Sequence, residues 1–208
     1  MGCGSTPTPG WLNFDNSFSV RLSRYPALSW IASRMGLLGD RQRVFVEACR
    51  QSGIRWANAA KHIPLASGSV DALYTSHMLE HLDPDEAIKF LTEVRRILRP
   101  GGHLRVAVPD LARIIETYHD DGDADHFVRT YGMADVRPRG VKARLYAALM
   151  GPRNHLWMYD GKSLAALLSA RGFRNVTVQP PGETMLPDPE GLDLHERDSL
   201  SVFVEATL

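Results

Sequence analysis

Hydrophobic positions are spaced most regularly between Ser69 and Asp110, and there they predict two strands with a helix between them. The run from Val70 to Ser76 is short and rich in apolar residues, as expected of a strand that is covered on both faces. Further along, Leu104, Val106 and Val108 alternate with other residues and predict a second strand. The order strand, helix, strand is typical of an α/β unit.

The helix inside this block carries signals for its start and its end. Asp83 can cap the first turn, Pro84 suits the first helical position, and Glu86 is placed to bond back to the capping residue. A stripe of apolar residues follows at helical spacing: Ala87, Ile88, Leu91, Val94 and Leu98. The Pro-Gly-Gly sequence at 100–102 then ends the helix.

The whole chain, residues 1–208, is predicted to form one domain with insertions at about 16–53 and 111–160. The first insertion predicts helices over 26–37 and 40–51, and residues 54–58 predict a strand after it. The second insertion begins with an amphipathic helix from Leu111, and another helix is predicted over 161–171. Long segments beside a sheet commonly form the wall or lid of a substrate site.

Several sequence motifs resemble those of a known family. SVDALYTSHMLEHL, ILRPGG and LRVAVPD resemble the class I S-adenosylmethionine-dependent methyltransferases, in particular the methyltransferase-domain type. The C-terminal segments GFRNVTVQP and SLSVFVEA are similar to the closing antiparallel strands of that family. The resemblance implies an α/β fold, a Rossmann-like three-layer α/β/α sandwich whose mostly parallel sheet has a C-terminal antiparallel strand. It also implies S-adenosylmethionine as the cofactor.

The resemblance places part of the cofactor site near the start of the chain. Gly2, Cys3 and Gly4 look like the glycine motif of the family, and Asp15 looks like the acidic residue that accepts hydrogen bonds from the ribose hydroxyls. Glycines support this assignment, because a turn without Cβ atoms lets the backbone approach a ligand closely. A plain surface turn is the alternative for the glycines, and an Asx turn is the alternative for Asp15.

Four more residues are expected on the cofactor side. Asn58 matches the family position that faces the adenine amino group, because an amide oxygen can accept that hydrogen bond, and Ala59 leaves room for the ring. Ser76 and His77 follow a strand at the carboxyl edge of the sheet, where such folds bind ligands. For Asn58, a turn at the end of a strand is the alternative.

Candidate acceptor residues are crowded into the segment from 153 to 159. Methyl transfer mainly requires alignment of the acceptor with the activated methyl group, although an oxygen or nitrogen acceptor also needs to lose a proton. His155 is the predicted general base, and Arg153, Trp157 and Tyr159 are predicted to contact the substrate. A buried structural histidine is the alternative for His155.

Glu80 and His81 are expected to hold the junction between the strand and the following helix. Although HMLEH resembles the zincin motif, its glutamate is misplaced, so no metal site is predicted. The 24 basic and 24 acidic residues balance, which argues against nucleic acid and favours a small-molecule or glycan-like acceptor. The two cysteines form no disulfide pattern, and no signal peptide or membrane-spanning run is evident, so a cytoplasmic location without membrane association is predicted.

Three functional hypotheses remain open. A methyltransferase is favoured over an NAD-type oxidoreductase, because Pro7 stands at the third glycine position of the dinucleotide motif. The third hypothesis is a methyltransferase-like module without activity, since the first strand of the family would have to precede Gly2. The favoured explanation is that the numbered chain is a truncated reading of a longer protein. The N-terminal residues also match an N-myristoylation pattern, which would compete with the glycine motif for Gly2.

Overall fold

Both strands and helices occur in the computed structural model, which describes residues 1–131, 140, 144 and 154–208. The strands are β1 (Phe14–Asp15), β2 (Arg55–Trp56), β3 (Val70–Ser76), β4 (Leu98–Pro109), β5 (Arg174–Gln179) and β6 (Ser201–Thr207). The helices are α1 (Phe18–Ser23), α2 (Pro26–Arg34), α3 (Asp40–Gln51), α4 (Pro84–Ile97), α5 (Leu111–Asp121), α6 (Ala124–Thr130) and α7 (Gly161–Ala170). A 3₁₀ turn spans Leu79–His81.

The main sheet has the strand order β3-β4-β6-β5. β3 and β4 are parallel, whereas β6 is antiparallel to both of its neighbours, β4 and β5. Three of these four strands therefore run in one direction and β6 runs against them. This confirms the predicted α/β class with a mostly parallel sheet and an antiparallel C-terminal strand.

The predicted unit of strand, helix and strand forms as β3, α4 and β4. Asp83 Oδ1 accepts a hydrogen bond from the Glu86 amide at 2.8 Å, so the predicted N-terminal cap is confirmed. The buried face of α4 contains Phe90 and Ile97 besides the predicted Ala87, Leu91 and Val94, whereas the predicted Ile88 is only half-buried. Leu98 already belongs to β4, because the chain leaves the helix before the Pro-Gly-Gly sequence. The helix thus makes the crossover that two parallel strands require.

A separate two-stranded parallel sheet lies near the start of the chain. β1 pairs with β2, and the predicted strand over 54–58 is shortened to the two residues of β2. The helices α1, α2 and α3 fill residues 16–53 and connect these parallel strands. The Gly2 amide donates to the Phe14 carbonyl at 2.8 Å, and the Met1 amino group donates to the Tyr74 carbonyl at 2.6 Å. Met1 and Gly2 therefore connect β1 with β3.

A cavity of about 990 Å³ lies between the two sheets. Leu12 and Phe14 line one side, and residues 70–74 of β3 line the other. Because β3 is an edge strand of the main sheet, its outer edge faces this cavity. The residues that the structure describes place no strand there, and this is the position in which the family resemblance expects one more strand.

An ion pair is buried at the centre of the main sheet. Arg105 on β4 and Glu205 on β6 are 0% and 1% exposed, and Arg105 Nη1 lies 2.6 Å from Glu205 Oε1. Glu205 also accepts a hydrogen bond from the Thr184 hydroxyl at 2.6 Å, and Arg105 Nη1 donates to the Glu183 carbonyl at 2.8 Å. The pair therefore fixes residues 183–184 against the sheet.

Glu205→Gln is expected to lower the free energy of unfolding by about 3 kcal/mol or more, because it leaves a buried guanidinium without its counter-charge. Chemical denaturation with urea measures the change. The double variant Arg105→Met with Glu205→Leu should recover much of the loss, since it removes both charges together.

Asp71→Asn is the matched control, because Asp71 and Arg99 form an exposed ion pair. That change should cost less than about 1 kcal/mol. Equal losses in Glu205→Gln and Asp71→Asn would contradict the prediction.

Candidate active site

The glycine turn at the start of the chain contacts Asp15 directly. Gly2 and Gly4 have φ angles of +67° and +50°, in the left-handed region that favours glycine. The Gly4 amide donates to Asp15 Oδ2 at 3.1 Å, and the Ser17 amide donates to Asp15 Oδ1 at 2.8 Å. The second bond is the Asx turn that was the structural alternative for Asp15. The carboxylate therefore shapes its own loop and also holds the glycine turn.

Gly2 also lies very close to the loop that follows β3. A Cβ atom placed on Gly2 would lie 2.7 Å from Met78 Cβ, which no side chain could accommodate without movement of one of the two segments. The absence of a side chain at this position therefore lets the glycine turn pack against the carboxyl end of β3.

Cys3 faces a small apolar cluster. It packs with Val20, Cys49 and Ile54, which are buried beneath the helices that connect β1 and β2. Burial, together with the nearby Asp15 carboxylate, raises the pKa of both thiols to about 11. The side chain of Cys3 thus packs the glycine turn against this apolar cluster.

Asn58 and Ala59 form a turn after β2. Asn58 Oδ1 accepts a hydrogen bond from the Ala60 amide at 3.1 Å, which is the structural alternative stated for this residue. Ala59 is 7% exposed and packs in the main hydrophobic core. Contact of either residue with adenine stays a prediction.

Ser76 and His77 leave the carboxyl end of β3 in different directions. Ser76, Gly2 and Cys3 line a cavity of about 50 Å³ together with residues of the 6–13 loop. His77 has a φ of +47°, and its Nε2 lies 3.0 Å from Ser201 Oγ while its Nδ1 lies 3.3 Å from Glu80 Oε1. The structure therefore brings Ser76 to the glycine turn and His77 to Glu80.

Glu80 is the centre of a histidine cluster. His155 Nε2 lies 4.0 Å from Glu80 Oε1, and the rings of His81 and His155 meet edge to face with centroids 5.1 Å apart. Burial lowers the pKa of His155, although the Glu80 carboxylate opposes this shift. The cluster of His77, Glu80, His81 and His155 thus joins the end of β3 to the segment that follows residue 153.

The backbone of Glu80 holds this segment in place. Its carbonyl accepts hydrogen bonds from the amides of Leu156 and Trp157 at 2.8 and 3.1 Å. The Leu111 amide donates to the Tyr159 carbonyl at 2.8 Å, which connects the segment to the end of β4. These bonds place His155 beside the carboxyl ends of β3 and β4.

The residues predicted to contact the methyl acceptor lie in different environments. Trp157 is 49% exposed and free to contact a ligand, whereas Tyr159 is 4% exposed and packs in the main core. Burial raises the pKa of Tyr159 to about 12. Core packing favours a structural role for Tyr159. Arg153 lies outside the described residues.

Sequence reasoning underestimated Glu80. It treated the residue as part of a junction, but the structure places its carboxylate among three imidazoles. The available signal was the spacing of His77, Glu80 and His81, which puts a histidine one turn before the glutamate and another directly after it.

Known proteins resemble parts of this chain. Residues 40–106 match the model of a family described as "Methyltransferase domain". A malonyl-[acyl-carrier protein] O-methyltransferase of Alcanivorax borkumensis is 27% identical over 122 residues, which cover 57% of this chain and 41% of that protein. An uncharacterised 37.1 kDa protein of a Streptomyces fradiae transposon is 42% identical over 59 residues, 28% of this chain and 16% of that protein. The chain thus spans less than half the length of either curated relative.

Solved structures of S-adenosylmethionine-dependent methyltransferases are also similar. One from Thermotoga maritima, described as a possible histamine N-methyltransferase, is 16% identical, with 90% of this chain and 91% of that chain covered and a TM-score of 0.48. One from Methanosarcina mazei is 17% identical, with 99% and 89% covered and a TM-score of 0.46.

The segment that matches the family model coincides with the central unit of the main sheet. The matched residues include the whole β3, α4 unit and most of β4, and they carry the motifs in which the sequence resembles methyltransferases. Over residues 40–106 the chain is therefore similar to the methyltransferase domain, in agreement with the resemblance of its sequence motifs. None of the described helices is long and apolar enough to cross a membrane.

Both cysteines are expected to react slowly with iodoacetamide at pH 8. A thiol with a pKa of about 11 is ionised in about one molecule in a thousand at that pH, and the thiolate is the nucleophile. Unfolding in denaturant should therefore accelerate alkylation about a hundredfold, as measured by mass spectrometry. Equal rates in the folded and unfolded protein would contradict the pKa shift.

Proposed function

We propose that this protein transfers a methyl group from S-adenosylmethionine to a small-molecule or glycan-like acceptor. The observation that carries the proposal is the meeting of the glycine turn with Asp15 and Ser76, beside the segment that matches the methyltransferase domain. A backbone turn without side chains and a neighbouring carboxylate suit an amino-acid moiety and a ribose.

In this proposal the cofactor lies along the glycine turn. Gly2, Cys3 and Gly4 offer backbone groups, Asp15 accepts from the ribose hydroxyls, and Asn58 with Ala59 lies on the adenine side. Ser76 lines the same cavity as the turn. His77 is assigned to the wall on the cofactor side, and its ring lies between Ser201 and Glu80.

Cofactor binding would require movement of the loop over residues 6–13. The cavity beside the glycine turn has about 50 Å³, whereas small-molecule sites usually have about 300–1,000 Å³. Several hydrogen bonds of this loop lie within it, such as that from the Thr8 amide to Asn13 Oδ1 at 2.9 Å, and the Trp11 indole donates to the Glu190 carbonyl at 2.9 Å. The bond to Glu190 is exposed, so opening of this loop should cost less free energy than disruption of the sheet.

The acceptor would lie beside the histidine cluster. The lowered pKa of His155 favours a neutral imidazole, which can accept a proton from an acceptor hydroxyl or amine. Exposed Trp157 offers an apolar wall, and Arg153 is assigned to the same pocket from the sequence alone. The name of the Alcanivorax relative supports an oxygen acceptor, and the balanced charge of this chain argues against a polyanionic one.

Isothermal titration calorimetry should show binding of S-adenosylmethionine and S-adenosylhomocysteine but not of NAD. Asp15→Asn is expected to weaken S-adenosylmethionine binding about tenfold or more, because it removes the charge that strengthens a ribose hydrogen bond. Asp120→Asn on the exposed face of α5 is the control and should bind normally. Binding of NAD alone would refute the proposal, and binding of no ligand would favour the inactive module.

His155→Ala is expected to reduce turnover by at least about a hundredfold and to leave cofactor affinity intact, since the residue acts on the acceptor. Methyl transfer from labelled S-adenosylmethionine to a panel of hydroxylated small molecules measures the turnover. His119→Ala, an exposed histidine on α5, is the control. Unchanged turnover in His155→Ala would remove the residue from the mechanism.

A further inference from the structure

The Glu80 carboxylate is buried without a hydrogen-bond partner. Its side chain is 1% exposed, and neither Oε1 nor Oε2 has a partner among the described residues. An isolated carboxylate is expensive to bury, so such groups are normally paired, hydrogen-bonded or bound to a metal ion. No lysine or arginine is paired with this carboxylate among the described residues, and its close neighbours are imidazoles.

Three imidazoles surround this carboxylate. One nitrogen from His81, one from His155 and one oxygen from Glu80 all lie within 4.8 Å of one another. His77 Nδ1 is 3.3 Å from Glu80 Oε1, and it also has no hydrogen-bond partner among the described residues. Three possible ligand atoms thus lie in one small volume, and His77 Nδ1 lies beside the glutamate oxygen.

The outer contacts of the histidines orient their free nitrogens. His81 Nδ1 lies 3.1 Å from the Asn154 carbonyl oxygen, and because a carbonyl only accepts, Nδ1 must carry the proton. The lone pair of His81 is therefore on Nε2. His77 Nε2 lies 3.0 Å from Ser201 Oγ, which leaves Nδ1 facing Glu80. A hydrogen bond from the outer ring nitrogen to a protein oxygen is typical of metal-bound histidine.

We propose that Glu80, His81 and His155, together with His77, bind a divalent transition-metal ion such as Zn²⁺. Imidazole nitrogens suit zinc, iron and copper, whereas Mg²⁺ and Ca²⁺ are bound by sets of oxygen ligands. Ligand atoms of a tetrahedral zinc ion lie about 3.4 Å apart, given bonds of about 2.1 Å. Side-chain rotations that bring these atoms about 1 Å closer would complete the site.

The site differs from the motif that sequence reasoning excluded. In H-E-x-x-H both histidines are ligands on one helix and the glutamate acts as a base. Here the glutamate is itself a ligand, and His155 comes from a segment 74 residues after His81, held in place by the carbonyl of Glu80. The spacing along the chain therefore does not reveal the fourth ligand.

If the protein is a methyltransferase, the ion can activate the methyl acceptor. This catalytic role rests on the proposed function, whereas the metal site itself does not. An acceptor hydroxyl bound to the cation would release its proton to water more readily, and the resulting alkoxide would attack the methyl group. The products would be the methyl ether and S-adenosylhomocysteine. His155 would then act as a ligand, and His155→Ala would lose metal affinity, which a free base would not.

Calorimetric titration of the chelator-treated protein with Zn²⁺ and with Co²⁺ tests the site. We expect one ion per chain, no comparable binding of Mg²⁺, and the visible absorption of tetrahedral Co²⁺. His155→Ala and Glu80→Gln should each weaken binding more than about a hundredfold, since loss of an outer contact already costs about 10–100-fold. His119→Ala is the matched control and should bind as the unaltered protein does.

Far-ultraviolet circular dichroism and S-adenosylmethionine titration in chelator show whether each variant is folded. If Glu80→Gln does not fold, the test rests on His155→Ala. No ion bound by the unaltered protein, or equal affinity in His155→Ala, would overturn the metal site. If S-adenosylmethionine binds in chelator while no ion binds, only the metal site fails. If the ion binds and S-adenosylmethionine does not, the metal site stands and the proposed function fails.

Discussion

The parallel pairing of β3 with β4 is the constraint on which the rest of this structure depends. Parallel strands need a long crossover, and α4 supplies it with a capped start and a buried apolar face. Because both strands run the same way, their carboxyl ends meet at one edge of the sheet. There the His77 amide donates to the Ala107 carbonyl at 2.9 Å, and the chain after β4 bonds to the Tyr159 backbone.

That edge explains why the histidine cluster exists. The 3₁₀ turn after β3 presents the Glu80 carbonyl to Leu156 and Trp157, so the same residue that holds the returning segment also turns its carboxylate towards His155. The backbone carbonyl of Glu80 accepts hydrogen bonds, whereas its side-chain carboxylate has no hydrogen-bond partner among the described residues. A protein that buries a carboxylate in this way usually uses it, and both the proposed base and the proposed metal ion draw on it.

The cofactor side of the site depends on different contacts. β1 and β2 pair only with each other among the described strands, and Met1 and Gly2 supply the backbone bonds to Tyr74 and Phe14 that bring their sheet to β3. Asp15 stabilises this arrangement by accepting from Gly4 and Ser17. Cofactor affinity should therefore be sensitive to the packing of the glycine turn, whereas the histidine cluster rests on the main sheet.

The sequence by itself determined the local elements and the class of fold. The cap at Asp83, the apolar stripe of α4 and the alternation along β4 are short-range signals, and the structure follows them closely because each depends on neighbouring residues. The sequence also named His77 and His155 separately. Only the tertiary structure brought His155 to Glu80, because a contact between residues so far apart in the sequence depends on sheet order and on hydrogen bonds that no local pattern encodes.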